Sequence, residues 1–269
     1  MLKGALLFNV EKPIIGVIHL PPLPGSPLYK GDINSIVERA LSDGLTLARN
    51  GVDGLIVENY GDKPYKVRVR EPETIAAMTL ITYMIKVNTE LPLGVSLLRN
   101  SGPEALAIAY VSKADFIRVN AYGEILASPE GLLEPVAREV QELKHKLNAK
   151  IKVFADIYCK HATPIHNMEI IDLAHDIIDR CLADAIIVSG RRTGLPPDKG
   201  LLERLRSHIN KPILVGSGIT IKNIEEYWDL ADGFIVGTYF KVHGITDNVI
   251  DEKRVRLFIE LVRKMRNKK

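Results

Sequence analysis

Two families of short apolar segments alternate strictly along the chain, and that alternation constrains the fold more than any other feature. The first family opens on a proline or lysine: Lys12-Pro-Ile-Ile-Gly-Val-Ile-His19, Leu91-Pro-Leu-Gly-Val-Ser96, Lys150-Ile-Lys-Val-Phe-Ala-Asp156 and Lys211-Pro-Ile-Leu-Val-Gly216. The second opens on a small residue and an aspartate: Val52-Asp-Gly-Leu-Ile-Val-Glu58, Ala114-Asp-Phe-Ile-Arg-Val-Asn120, Ala183-Asp-Ala-Ile-Ile-Val-Ser189 and Ala231-Asp-Gly-Phe-Ile-Val-Gly237. Short β-branched runs bounded by turn residues suit strands buried on both faces of a parallel sheet. Between them the apolar spacing turns helical, near 73–87, 103–111, 167–181, 199–207, 221–230 and 252–264. Asp32 and Ser128 read as helix N-caps, the latter with Pro129 at the first helical position. Eight strand–helix units in 269 residues predict a closed (β/α)8 TIM barrel rather than an open nucleotide-binding sheet. No G-x-G-x-x-G follows the first strand. The expectation is a single α/β domain over 1–269, with a lead-in at 1–11 and a basic helix end at 263–269.

The connections are lopsided. Helix-to-strand links are terse (Asn50-Gly51, Lys113, Asn148-Ala149, Leu182, Asn210), whereas strand-to-helix links such as Leu20–Gly31, Asn59–Arg70, Tyr158–His166 and Tyr239–Ile250 are long and polar. Long loops on one face of a rigid scaffold are where function sits. The strand-initial Asp53, Asp115, Asp184 and Asp232 fall on the opposite face, where turn and capping roles are expected.

In a barrel the C-terminal strand ends converge on one mouth. Here they carry His19, Glu58, Asn59, Ser96, Asn120, Asp156, Ser189 and the two turns Gly216-Ser217-Gly218 and Gly237-Thr238. So many polar groups are costly to bury in a purely structural protein, which points to a binding site. Paired glycine turns after the seventh and eighth strands are the usual phosphate site of this fold, because glycine lets amides approach an anion. Thr220 is positioned to cap the helix that follows. The competing reading is that these glycines only close tight turns.

Asp156 and Glu58 are the carboxylates expected to exchange protons, with His19 as a third candidate or else a structural histidine holding the Leu20-Pro21-Pro22 turn. Asn59 and Asn120 suit orientation of a substrate hydroxyl or carbonyl. Arg191, beside Arg192, either clamps an anion or is a solvated loop charge. No cofactor is assigned. A divalent metal is possible, held by Asp156, His19 and His161, although these residues show no metal-ligand spacing. Lys160, four residues beyond Asp156, is too far past the strand end to favour a Schiff base, and Cys159 has no assignable partner base.

A net charge of +3, with the basic excess largely at 263–269, argues against a nucleic-acid partner. Two cysteines give no disulfide framework, which fits a reducing, cytoplasmic setting. The Leu6-Leu7-Phe8 run, soon followed by Glu11, is too short for a signal peptide, and no run approaches the ~20 apolar residues of a membrane span. A homo-oligomer is expected from the habits of the fold.

At Gly16-Val17-Ile18-His19-Leu20-Pro21-Pro22-Leu23-Pro24-Gly25-Ser26-Pro27 the chain resembles the BtpA family. The resemblance continues through Val57-Glu58-Asn59-Tyr60-Gly61-Asp62, Phe154-Ala155-Asp156-Ile157 and Gly216-Ser217-Gly218, and so covers essentially the full length. It implies a TIM-type barrel and supplies no catalytic residues. The family takes its name from a thylakoid-associated factor needed for photosystem I accumulation. Two functions therefore stand as expectations. One is an isomerase or lyase acting on a small phosphorylated substrate. The other is a non-catalytic assembly factor that binds a protein partner or membrane surface through Leu20–Gly31 and Asn59–Arg70.

Overall fold

The computed structural model describes residues 8–267, so the first seven residues of the lead-in and the last two of the basic end lie outside it. The eight anticipated strands all form: β1 (Ile14–His19), β2 (Gly54–Glu58), β3 (Leu93–Ser96), β4 (Phe116–Val119), β5 (Lys152–Ile157), β6 (Ala185–Val188), β7 (Ile213–Val215) and β8 (Gly233–Val236). They pair in parallel and in sequence order, and β8 closes onto β1 through Ile14↔Phe234. The result is a (β/α)8 barrel.

Side chains alternate between two cores, as the two-residue period of a strand requires. Ile15, Val17, Ile56, Phe116, Phe154, Ile187, Leu214 and Ile235 fill the barrel interior, with Phe8 edge-on to Phe116 at the floor. Their strand neighbours, such as Ile14, Ile18, Val57 and Val153, face the outer helices. Those helices are α1 (Ile33–Arg49), α2 (Pro72–Thr89), α3 (Gly102–Ser112), α4 (Ala137–Lys146), α5 (Ile170–His175), α6 (Lys199–His208), α7 (Ile224–Tyr227) and α8 (Glu252–Arg266).

The four floor aspartates repeat one bond. Asp53 accepts the Ile14 N–H at 2.7 Å, Asp115 that of Leu93 at 2.8 Å, Asp184 that of Val153 at 2.9 Å and Asp232 that of Ile213 at 3.0 Å. Each aspartate ahead of an even strand thus caps the start of the preceding odd strand. Each also meets a cation: Arg266, Lys86, Lys152 and Arg206 respectively.

From Ser128 onward several local expectations are not met. Asp32 does cap α1, accepting from Ser35 N–H. Ser128 caps nothing. It ends a strand, Leu126–Ser128, that pairs with Gly131–Leu133 and with Thr163–Pro164 in a small antiparallel sheet over the mouth, and α4 begins only at Ala137. The stretch 167–181 divides into α5 and a π-helical turn at Asp176–Arg180. The helix expected over 221–230 shrinks to the single turn α7. Thr220 does not cap it directly; its hydroxyl and N–H both donate to the Asn223 side chain, which carries the chain into that turn.

Candidate functional site at the barrel mouth

Strand register sets out the first row of the site. His19 stands opposite Glu58, Glu58 opposite Ser96, and Ser96 opposite Arg118, one residue from each of β1 to β4. Inside the barrel Glu58 accepts from Ser96 Oγ at 3.1 Å, while His19 Nε2 and Arg118 Nη1 each lie 3.9 Å from its carboxylate. Asp156 completes the cluster from β5. Its oxygens receive Arg118 Nε and Nη2, both at 2.8 Å, and Asn120 Nδ2 at 2.8 Å, with Ser189 Oγ at 3.5 Å. Arg118, Asp156, Glu58 and Asn120 are all buried.

These contacts separate the two carboxylates expected to act alike. Asp156 has its lone pairs occupied by a guanidinium and an amide. Glu58 Oε1 has no hydrogen-bond partner among the described residues and lies 3.9 Å from His19 Nε2. Burial would pull the Arg118 guanidinium down, but Asp156 and Glu58 together hold it above its ordinary value, so it is a fixed positive charge. His19 goes the other way. Burial first, then the cations Lys241, Lys160 and Arg118, keep its pKa well below the usual imidazole value, so the ring is neutral. Its Nδ1 is buried without a partner among the described residues, and the ring packs edge-on to Tyr60 at 4.9 Å. A neutral imidazole of this kind donates a hydrogen bond better than it captures a proton.

Beside this cluster a cavity of about 220 Å³ opens against Gly216, Ser217, Gly218, Gly237 and Thr238, and it is also lined by Lys160 and Arg254. The N–H groups of Gly218, Ile219, Gly237 and Thr238 donate to no protein acceptor among the described residues. Arg254 approaches from α8, its guanidinium 4.5 Å from the Tyr239 ring centroid and its Nε bonded to Tyr239 O. The glycines also serve packing. A Cβ on Gly237 would lie 2.6 Å from His19 Cε1, and Gly218, at φ +72°, backs onto the Leu195–Pro196 backbone. Ser217 Oγ is bound into the loop after β6, accepting from Gly190 N–H and donating to Leu195 O. Since α7 is a single turn, the turn amides and Arg254 provide the positive potential here, and a helix end does not.

A second, outer cavity of about 500 Å³ shares His19, Glu58, Arg118 and Lys160 with the first and extends to Tyr65, Arg99, Asn120 and Arg192. The structure brings His19, Glu58, Asn120, Asp156 and both glycine turns together as expected. It leaves out two residues. Asn59 is spent on structure, its Nδ2 donating to Asp62 and its Oδ1 accepting from Leu98 N–H. Arg191 is exposed and lines neither mouth cavity; Arg192 lines the outer one. The metal set does not assemble either. Among the described residues no three His, Cys, Asp or Glu side chains gather as a metal would need, and His161 Nε2 lies 3.2 Å from Thr193 Oγ1. Cys159 is buried and its thiol is pushed up to about 12 by burial, which leaves it unreactive.

Three residues that carry the site were missed. Arg118 lies inside an apolar run, and Arg254 lies far from any strand end. Lys160 was judged out of reach, yet its loop folds back so that the side chain borders both cavities. Only Arg118 left a readable signal: it alternates with Asn120 and so must face the barrel interior.

The fold and mouth define a (β/α)8 barrel with a buried carboxylate–imidazole–guanidinium cluster beside a pair of glycine turns. The chain belongs to the BtpA family, whose model matches residues 10–264. An uncharacterised protein of Thermococcus kodakarensis is 43% identical over 95% of this chain and 97% of its own. The photosystem I biogenesis protein BtpA of Synechocystis is 39% identical over 94% of this chain and 88% of its own. Among solved structures, thiamine phosphate pyrophosphorylase from Pyrococcus furiosus superposes with a TM-score of 0.57 at 13% identity, covering 98% of each chain. At that identity the likeness is one of fold. No helix among the described residues is long and apolar enough to cross a membrane.

Proposed function

We propose that the protein is an enzyme of isomerase or lyase type acting on a small phosphorylated metabolite. One observation carries this reading: the turn amides without acceptors and the Glu58–His19–Arg118 cluster border one continuous cavity. The phosphate occupies the turn pair, held by the amides of Gly218, Ile219, Gly237 and Thr238 and by Arg254. Glu58 moves the proton. Neutral His19 and fixed Arg118 stabilise the negative charge that develops on a substrate oxygen, as preorganised donors do. Asp156 is a positioning residue that holds Arg118, and Asn120 in turn holds Asp156. The names of fold neighbours such as the thiamine phosphate enzyme suit this reading without deciding it.

The assembly-factor reading draws on the Synechocystis relative's name. It needs free loops, and both are tied down: Asp62 joins them by accepting from Leu23 N–H at 2.7 Å, Thr74 Oγ1 of α2 donates to Pro24 O at 2.6 Å, and Ser101 Oγ accepts from Val69 N–H at 2.9 Å. Thermal unfolding against phosphorylated metabolites and their unphosphorylated counterparts separates the two readings. A ligand at a hundredfold excess over its Kd stabilises the fold by about 2.7 kcal/mol. A shift confined to phosphorylated members supports the enzyme; no shift with phosphate or any phosphoester removes it.

The homo-oligomer is read as forming through α2 and α3, whose outward Leu80, Tyr83, Val87, Tyr110 and Val111 stand exposed. A helix apolar on both sides is ordinarily covered on both. Light scattering on the wild type and on Val111→Glu checks this, and a monomeric wild type rules it out.

A further inference from the structure

Lys160 sits where the two cavities meet. Its backbone is fixed: Arg99 Nη2 donates to its carbonyl at 2.7 Å, and shortly beyond it Thr163–Pro164 pairs with the Leu126–Ser128 strand. The side chain is not fixed in this way. Among the described residues Lys160 Nζ has neither a hydrogen-bond nor an ion-pair partner, although Glu58 lines both of the cavities that it borders. Three neighbouring cations are engaged by contrast: Arg118 on Asp156, Arg99 on Lys160 O and Arg254 on Tyr239 O. A half-buried amine left without a partner beside a binding cavity has the environment of a nucleophile rather than of a structural charge.

We infer that Lys160 is a catalytic amine that forms an imine with the carbonyl carbon of a phosphorylated aldehyde or ketone. The inference rests on the phosphate reading above, which brings the carbonyl within its reach. The amine nitrogen adds to the carbonyl carbon, and the carbonyl oxygen takes a proton to become a hydroxyl. The carbinolamine then expels that oxygen as water, leaving a C=N bond, so amine plus carbonyl becomes imine plus water with no oxidant or reductant. Glu58, on the same cavity wall, relays the proton. The protonated imine then draws electrons from the adjacent carbon, which is the step an isomerase or lyase needs.

The surroundings favour the free amine. Burial, then Arg118 and Arg99, lower the Lys160 pKa, while Glu58 and Asp156 oppose them. Each pKa unit below the ordinary lysine value raises the unprotonated fraction at neutral pH about tenfold.

Pyridoxal 5′-phosphate, an aldehyde that carries a phosphate, is the probe, followed by borohydride reduction and peptide mapping by mass spectrometry. Label concentrated on Lys160, suppressed by excess inorganic phosphate and lost in Lys160→Met and Lys160→Arg, is the expected result. Label spread over surface lysines with none preferred at Lys160 overturns the inference. Pyridoxal without its phosphate separates the two readings. If both aldehydes label Lys160 equally and phosphate does not protect, the amine stands and the phosphate site falls. If the phosphorylated probe shifts the melting temperature but leaves Lys160 unlabelled, the phosphate site stands and the amine falls.

Discussion

Arg118 and Asp156 meet through two parallel hydrogen bonds of 2.8 Å at the centre of the barrel mouth, both side chains buried. This fork orders the site: it occupies both Asp156 oxygens and leaves Arg118 Nη1 facing Glu58 at 3.9 Å. It also changes what a substitution at Asp156 reports.

Asp156→Asn removes the carboxylate forked to the buried Arg118 and leaves only Glu58, 3.9 Å away, to face its charge. Removing one partner of a buried pair costs about 3–5 kcal/mol. Denaturant unfolding is expected to show a loss of that size, so lost turnover in this variant would not by itself mark a catalytic carboxylate. Arg118→Met combined with Asp156→Leu should lose far less than the two single changes summed.

Gly237→Ala tests the turn pair. The new methyl group would lie 2.6 Å from His19 Cε1, and the backbone there needs no left-handed conformation. Overpacking of this kind costs about 1–3 kcal/mol. The fold is expected to persist while the thermal shift given by phosphorylated ligands falls, and an unchanged shift would place the ligand elsewhere.

Glu124 gives a pH dependence. Burial raises its carboxyl from 4.5 to about 7, against the lowering hydrogen bond from Tyr158 N–H and with Asp156 adding to the rise. Through that window the folded chain keeps a proton that the unfolded chain has lost. Stability therefore falls as pH rises from 4.5 to about 7. Glu124→Gln keeps the acceptor for Tyr158 N–H and removes the slope. At mildly alkaline pH it should gain on the order of 1–3 kcal/mol in denaturant unfolding, with little change at mildly acid pH.

Asp232→Ala should act on the floor alone. It deprives Ile213 N–H of its acceptor and Arg206 of its partner. A loss of about 1–3 kcal/mol is expected, with ligand-induced thermal shifts preserved.

The barrel was legible because a buried parallel strand must be apolar throughout, so its runs stand out from the helices on either side, and the aspartates at Asp53, Asp115, Asp184 and Asp232 mark every second one. Ser128 misled because a serine before a proline suits the tip of a hairpin as well as a helix start, and only the Gly131–Leu133 partner strand decides between them. For the site, residues at strand ends were readable, since topology alone carries them to the mouth. Lys160 and Arg254 were not: reach depends on how a loop folds back and on which side of a helix faces the rim, and neither leaves a periodic trace. Asp156 was readable as a strand-end carboxylate, but its fork with Arg118 was not, because the pairing appears only once β4 and β5 lie side by side.

The four aspartate clasps are each local, joining the start of one strand to the start of the next, and all lie at the end of the barrel away from the cavities. Endurance and recognition are therefore written in different alphabets along the same chain. Rim loops can be exchanged, lengthened or recoloured in charge while the clasps keep the cylinder shut, which gives a lineage built on this frame room to change its rim without relearning how to fold.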